Sequence, residues 1–513
     1  METSYVVLSG RPEDEALYRK AGDIIRTGGL VAFPTETVYG LGGNGLDPAA
    51  SAKIYAAKGR PSDNPLILHI AELAALKPLV RDIPEVALRL AEAFWPGPMT
   101  LIFNKSTLVP KETTGGLDTV AVRMPSHPAA QRFIRACGVP VSAPSANKSG
   151  RPSTTTAQHV REDMDGRIDM ILDGGPSEIG LESTIIDVTG SVPLILRPGF
   201  IGVARLKALL GRVDIDPAVL EEPSPDIRPK APGMKYRHYA PKADVTIVEG
   251  EDPAGRIMRE AAAAAEGGRK TAILCSEENR NAYEALAAEL ARKGISLKIL
   301  SAGSRMHPET IAHRLFDCLR QLDTDDIEAA WSEAFDEGDL GMAVMNRLQK
   351  AAAYHIEHTG QSTENKEKKT MIAIGSDHGG YGLKQEIMEH LKKRGISYDD
   401  LGCYSEASCD YPKYARAVAA QVADGKAEKG ILICGTGIGM SITANKVRGI
   451  RAAAVSDCFT AEATRQHNDA NVLCLGARTL GPGLALKIVD IFLDTPFSDE
   501  ERHIRRIAQI EEE

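Results

Sequence analysis

The feature that most constrains this chain is a break. Residues His355–Thr370 read HIEHTGQSTENKEKKT, polar and charged with almost nothing to bury, and such a run is expected as a flexible linker. After it the sequence restarts as if a new protein began. Met371–Gly375 (MIAIG) is strand-like, DHGG makes a turn, and Leu383–Arg394 spaces Leu383, Ile387 and Leu391 four residues apart before Gly395, the pattern of a capped amphipathic helix. Gly430–Cys434 is the next clear strand and runs into GTGIG. Strands alternating with helices of this length predict a parallel sheet with crossover helices. A chain of 513 residues is too long for one ordinary domain, and about three are expected.

The residues before the break alternate in the same α/β manner. Glu13–Thr27 puts Leu17, Ala21, Ile24 and Ile25 on one helical face, and Gly28-Gly29 stops it; Leu30–Phe33 then reads as a short buried strand ending at Pro34. Val213–Ala240 is rich in proline and charge and reads as a long loop. A second α/β pattern follows: strand Asp244–Val248, helix around Arg256–Ala265, strand Thr271–Cys275, helix Asn281–Lys293, strand Ser296–Leu300, then helix-like residues to Tyr354. The expected division is 1–212, a loop or linker at 213–243, a small α/β domain at 244–354, the linker 355–370, and 371–513. No internal repeat is visible.

Composition narrows the classes further. Hydrophobic content of 43% with 26% charged residues is globular. The apolar runs are strand-sized, far short of the roughly 20 residues a membrane helix needs. METSYVVLSGRPEDE shows no basic stretch leading into an apolar core, so no secretory signal is expected. Eight scattered cysteines without a CxxC pair argue against zinc and disulfides and fit a reducing cytoplasm. A net charge of −9 weighs against a broad nucleic-acid face but leaves room for local arginines around small anions.

In the first part four clusters are too polar and glycine-rich for simple core: Pro34–Gly40 (PTETVYG), Lys58–Ile70 (KGRPSDNPLILHI), Ser142–Asn147 (SAPSAN) and Leu196–Gly199 (LRPG). Lys58 and Arg60 alternate in what reads as an extended segment, so both can point to one face. Two fixed cations there suit a polyphosphate, and Ser145 and Asn147 repeat the spacing with neutral hydrogen-bonding groups. No GxxxxGK[ST] motif exists, so an ATP site would be of another kind. Each cluster alone is also what an ordinary solvated loop looks like.

Together and in this order they resemble the YrdC-type threonylcarbamoyl-AMP synthases. The KxR signature is Lys58-Gly59-Arg60, the SxN signature Ser145-Ala146-Asn147, and PTETVYGLG and NPL match as well. The resemblance implies a twisted α/β sheet around a wide positive cavity. It also implies condensation of L-threonine, bicarbonate and ATP, with Mg2+ expected on the nucleotide, to an adenylate that partner proteins use to modify tRNA. By motif match, Thr35 and His69 would hold threonine with Ser183 facing it. Lys58, Arg60, Asn64, Arg123, Ser145, Asn147, Ser153 and Arg197 would surround ATP, with Thr119 and the Ala143 backbone at the junction. Longer members carry a second Rossmann-like domain and a linker that closes over the site. Residues 244–354 and APGMKYRHYAP look like these parts, and Tyr236 would be the lid residue or an aromatic that packs the loop.

In the last part, the glycines of CGTGIG (Cys434–Gly439) allow backbone N–H groups to converge on an anion or an enediolate. No acidic residue follows at dinucleotide-binding distance, so a nicotinamide reading is weak. A lone cysteine is usually a buried small hydrophobe, but Cys434 sits at the strand end with Asp377-His378 and His467-Asn468-Asp469 elsewhere, which favours a reactive thiol. Arg502 and Arg506 stand one helical turn apart, a spacing that grips a phosphate. GSDHGG, DYPKYA, CGTGIGMSITANK and RQHNDANVLCLGAR resemble type B ribose-5-phosphate isomerases, which need no metal or organic cofactor. By motif match Cys434 would move the proton and His467 would assist ring opening. Asp377, His378 and Tyr411 would contact the sugar, and Gly435, Thr436, Gly437, Ile438, Gly439 and Asn468 the enediolate. Arg478, Arg502 and Arg506 would take the phosphate. The resemblance implies a homodimer with shared active sites. Two alternatives stand beside these expectations: an RNA-binding first part, and a last part that senses sugar phosphate without turnover or acts on allose or galactose 6-phosphate.

Overall fold

The computed structural model describes residues 2–220, 239–250, 252–335, 338–359, 371–498 and 500–511. It divides into two compact units, Met1–Gln361 and Ser362–Glu513. Both are α/β, as the alternation of strand-like and helix-like segments predicts.

The first unit contains an eleven-stranded mixed sheet running from Ser4–Val7 at one edge to Asp214–Ile215 at the other. Helix Glu15–Arg26 buries Tyr18, Ala21, Gly22 and Ile25 and lies against helix Pro128–Cys137. A Cβ on Gly22 would stand 2.5 Å from the Ala136 carbonyl, so only glycine permits this approach. At the sheet centre strand Ile67–His69 lies between Val141–Ser142 and Thr119–Arg123. Its register sets His69 opposite Arg123 on one side and Val141 on the other.

The same unit holds a second sheet of five parallel strands in the order Leu297–Gly303, Thr271–Ser276, Ala329–Glu333, Asp244–Gly250, Ile356–Thr359. Two of these differ from expectation. Ala329–Glu333 falls in a stretch read as helical, because AAWSE favours helix locally; pairing on both sides overrides that preference. Ile356–Thr359 falls inside the expected linker. As an edge strand it needs only backbone hydrogen bonds to Asp244–Gly250, so its polar side chains gave no signal. Likewise Val213–Ala240, read as a loop, opens with strand Asp214–Ile215 and the short helix Pro217–Leu220. The core of this part is continuous with Val38 and Leu181 of the first sheet's loops.

The second unit is a five-stranded parallel sheet, Ser397–Asp400, Met371–Ser376, Lys429–Cys434, Val472–Gly476, Ala452–Ala454. Ile372, Ile374, Ile431, Ile433, Leu473 and Leu475 are fully buried in it, as continuous apolar strands covered on both faces require. No helix among the described residues is long and apolar enough to cross a membrane.

Candidate active sites

Lys58 is the last residue of helix Pro48–Lys58, not part of an extended run. Asp47 starts that helix by accepting the Ala49 N–H, with Pro48 in its first turn, and Gly59 ends it in the left-handed region at φ 61° and ψ 37°. The chain reverses direction there. Lys58 and Arg60 therefore reach one cleft because of a helix cap, which the KxR spacing alone did not reveal. Lys58 Nζ donates to the Ser145 and Asn147 carbonyls at 2.5 Å each. Arg60 Nη2 donates to Asn64 Oδ1 at 2.5 Å and to the Pro65 carbonyl at 3.2 Å. Ser145 Oγ donates to Asn147 Oδ1 at 2.5 Å.

The cleft encloses about 670 Å³ including its open mouth, within the range of small-molecule sites. Thr35, Lys58, Arg60, His69, Arg123, Ala143, Ser145, Asn147 and Arg197 line it. Asn64 stands behind Arg60. Ser183 stands behind Arg197, whose Nε donates to the Ser183 carbonyl at 3.1 Å and Nη2 to Ser183 Oγ at 3.2 Å. A Cβ on Gly199 would stand 2.4 Å from the Thr184 amide nitrogen, so the glycine of LRPG lets the two loops meet. Ser153 does not line the cleft; its Oγ donates to Glu182 Oε1 at 2.6 Å. Thr119 is also outside the lining, at the opposite end of the strand from Arg123. Tyr236 lies outside the described residues. Tyr239, three residues on, lines the cleft with its ring centroid 5.1 Å from that of Phe316.

Burial dominates the electrostatics. It pushes the Lys58 ammonium well below its ordinary range, and Arg60 adds to that. Arg60 and Arg197 are each lowered to about 10, again by burial first. His69 falls to about 3 through burial and the nearby Arg123 charge; its Nδ1 lies 3.1 Å from the Ile67 carbonyl. The imidazole is therefore neutral at physiological pH. Arg123 donates to Glu36 Oε1 at 2.6 Å and to Thr37 Oγ1 at 2.8 Å. Glu36 and Glu182 were missed from the sequence. Each is one acid among many, and only the fold turns it inward.

In the second unit Cys434 ends its strand, 5% exposed. The Gly437 N–H donates to its Sγ at 3.1 Å, which Gly437 manages at φ 78°. Asp377, at the end of the neighbouring strand, accepts the Gly380 N–H at 3.0 Å, and His378 Nδ1 accepts the Cys409 N–H at 3.2 Å. A Cβ on Gly439 would lie 2.8 Å from the Tyr411 ring, and one on Gly435 would lie 3.5 Å from Arg478. Gly435, Thr436 and Gly437 lead into helix Ile438–Ala444. Cys434, Asp377, His378, Tyr411, Arg478 and this loop thus form one cluster at the carboxyl edge of a parallel sheet.

His467 and Asn468 are not in that cluster. They end helix Cys458–Asn468, which runs back to the start of strand Val472–Gly476 at the opposite edge of the sheet. There the Asn468 carbonyl accepts from Arg451 Nε at 3.0 Å, just before strand Ala452–Ala454 begins. The strand rise separates the two edges by roughly 13 Å or more. The His467 ring centroid lies 4.6 Å from that of His503 at a tilt of 45°, on the helix Glu501–Glu511 that also carries Arg502 and Arg506, both exposed. Among the described residues no group of three or more His, Cys, Asp or Glu is placed to hold a metal.

Residues 23–199 match the family described as Telomere recombination, residues 201–353 the Threonylcarbamoyl-AMP synthase, C-terminal domain, and residues 372–510 the Ribose/Galactose Isomerase family. The threonylcarbamoyl-AMP synthase of Pyrococcus abyssi is 47% identical over 352 residues, 67% of this chain and 96% of that protein. Ribose-5-phosphate isomerase B of Escherichia coli is 49% identical over 139 residues, 27% of this chain and 93% of that protein. A crystal structure of P. abyssi Sua5 complexed with L-threonine is similar with a TM-score of 0.63 and 45% identity, covering 70% of this chain and 99% of that one. Fold and sites together define a two-part α/β enzyme, one part with a cation-lined cleft and the other with a thiol at a glycine loop. The chain belongs to the threonylcarbamoyl-AMP synthase family through its first unit and to the ribose/galactose isomerase family through its second.

Proposed function

We propose that the first unit condenses L-threonine, bicarbonate and ATP to threonylcarbamoyl-AMP and pyrophosphate, and that the second interconverts ribose 5-phosphate and ribulose 5-phosphate. The observation that carries the first reading is the convergence of Lys58, Arg60, Arg123 and Arg197 on one cleft beside a neutral His69. A carbamate oxygen of threonine attacks the α-phosphorus of ATP, and the bond to the pyrophosphate oxygen breaks. The fixed cations offset the charge that gathers on the phosphates. Mg2+ enters as part of the nucleotide substrate. A neutral His69 can donate or accept a hydrogen bond to threonine without adding charge. The adenylate product would pass to partner proteins that modify tRNA, and the cytoplasm, with ATP and reduced thiols, is the compartment that suits this chemistry.

The second reading is carried by the Cys434 thiol beside the Gly435–Gly439 loop. The thiolate takes the proton from C2 of the open-chain aldose, the backbone N–H groups hold the enediolate oxygen, and the proton returns to C1. His467 stands at the far edge of its own sheet, so it can assist ring opening only in a site completed by a second copy. We therefore place the isomerase site between two subunits, with Asn468, Arg502 and Arg506 reaching the sugar phosphate together with His467. The family covers both ribose and galactose isomerases, so galactose 6-phosphate and allose 6-phosphate are the alternative sugars. Supplying purified chain with ATP, threonine and bicarbonate, and separately with each aldose phosphate, tests both readings. Absence of adenylate sinks the first, and absence of any ketose phosphate sinks the second.

A further inference from the structure

Three guanidinium groups and the Lys58 amine line the ATP cleft, and one carboxylate, Glu182, stands among them. A carboxylate facing a polyphosphate opposes its binding unless its charge is matched. Both Glu182 oxygens are taken. Ser153 Oγ donates to Oε1 at 2.6 Å, and Arg347 Nε donates to Oε2 at 3.0 Å. Arg347 comes from helix Gly338–Ala351 of the second sheet's domain and is fully buried.

The same guanidinium donates through Nη1 to the Pro198 carbonyl at 2.5 Å and through Nη2 to the Glu182 carbonyl at 3.4 Å. Glu182 precedes Ser183 and Pro198 follows Arg197, and these two neighbours are themselves bonded. One side chain from the added domain thus touches both loops that aim Arg197 into the cleft. Burial alone would raise the Glu182 pKa, but Arg347, then Arg197 and the Ser153 hydrogen bond, hold it below the ordinary carboxylate range. Lys350, one turn further along the helix, does not serve as well: burial and the charges of Arg347 and Arg197 lower it to about 7. A guanidinium keeps its charge where an ammonium gives it up.

We infer that the domain spanning residues 244–359 takes part in ATP binding at the neighbouring cleft, with Arg347 as a positioning residue whose charge compensates that of Glu182. This rests on the reading of the cleft as an ATP site. The domain is then more than an appendage: without it Arg197, a cation that should face the nucleotide, is left to compensate the Glu182 carboxylate.

The test is kinetic, on the full chain, with Arg347→Gln, Arg347→Lys, Glu182→Gln and the double variant Arg347→Gln/Glu182→Gln. Arg347→Gln should raise KM for ATP roughly tenfold or more with a smaller change in kcat, because a buried charge loses its partner. Arg347→Lys should recover little of that loss, because a buried ammonium gives up the charge that a guanidinium keeps. Glu182→Gln alone should also raise KM for ATP, because it leaves the buried Arg347 guanidinium without its counter-charge. The double variant should return KM to within about threefold of wild type, since the carboxylate that needed compensation is gone. A double variant as poor as Arg347→Gln would show that Arg347 only holds the fold. That result overturns the inference, as does a normal Arg347→Gln enzyme. Should Arg347→Gln fail to fold, judged by thermal melting with the isomerase activity as internal reference, the double variant still decides: a KM within about threefold of wild type supports the inference, and a roughly tenfold higher KM overturns it. A wild-type chain that forms no adenylate would instead sink the proposed function.

Discussion

His69 is held neutral by its surroundings, and this has a consequence for stability. Its folded pKa is about 3 against an ordinary 6.5, so the unfolded chain takes up a proton that the folded chain refuses. As pH falls from 6.5 towards 3 the folded first unit loses stability, by about 2 kcal/mol at pH 5 from this group alone. His69→Gln removes that coupling. Urea midpoints of the first unit should fall less steeply between pH 7 and 5 in the variant than in wild type; parallel curves would mean that the imidazole is not excluded from protonation. Arg60 is a different case. Arg60→Ala should abolish adenylate synthesis and leave isomerase activity intact, yet its bonds to Asn64 and Pro65 mean a stability loss of roughly 1–2 kcal/mol as well. Near-normal synthesis by that variant would remove Arg60 from the site. Lys58, Arg60, Ser145 and Asn147 were legible because closely spaced polar residues have no packing reason to recur in glycine-rich loops. Glu182 and Arg347 were not, because nothing local relates two residues so far apart in the chain.

At the scale of elements, the left-handed cap at Gly59 turns a helix end into a paired-cation site. No atom lies within 4 Å of where a Cβ on Gly59 would be, so Gly59→Ala meets only backbone strain of about 1 kcal/mol. If the chain relaxes that strain by leaving the left-handed region, Lys58 and Arg60 lose their common aim. The expected outcome is a severalfold lower kcat/KM for ATP with unchanged isomerase activity. Gly59→Asn, which tolerates this conformation, should sit between alanine and wild type; an alanine variant with full kcat/KM would show that the cap does not set the aim. Elements were readable where a period in hydrophobicity existed, as in Leu383–Arg394. Ala329–Glu333 and Ile356–Thr359 escaped because their strand character comes from neighbours: one is clasped on both sides, and the other is an edge whose pairing asks nothing of its side chains.

At the scale of the whole molecule, the parallel topology of the second unit argues for a site shared between copies. Each right-handed crossover returns its helix to the amino edge of the sheet, so a chain with Cys434 at one edge and His467 at the other cannot bring them together by side-chain motion. Cys434→Ser replaces the proposed base with a hydroxyl far too weakly acidic to serve at neutral pH, and proton exchange should fall by at least about 100-fold. His467→Ala should independently lower turnover while Cys434 remains. If the sites are shared, the two inactive variants should complement each other when co-expressed. In a mixed dimer one site joins Cys434 of the His467→Ala chain to His467 of the Cys434→Ser chain and is intact, while the other site lacks both. Random pairing makes half the dimers mixed, so activity should recover to about one quarter of wild type. Adenylate synthesis should stay constant throughout, which normalises for the amount of folded chain. Recovery requires that one subunit supply the base and the other the imidazole. A mixture no more active than the two variants alone would mean that each chain builds its isomerase site by itself, and His467 would then lose its assigned role.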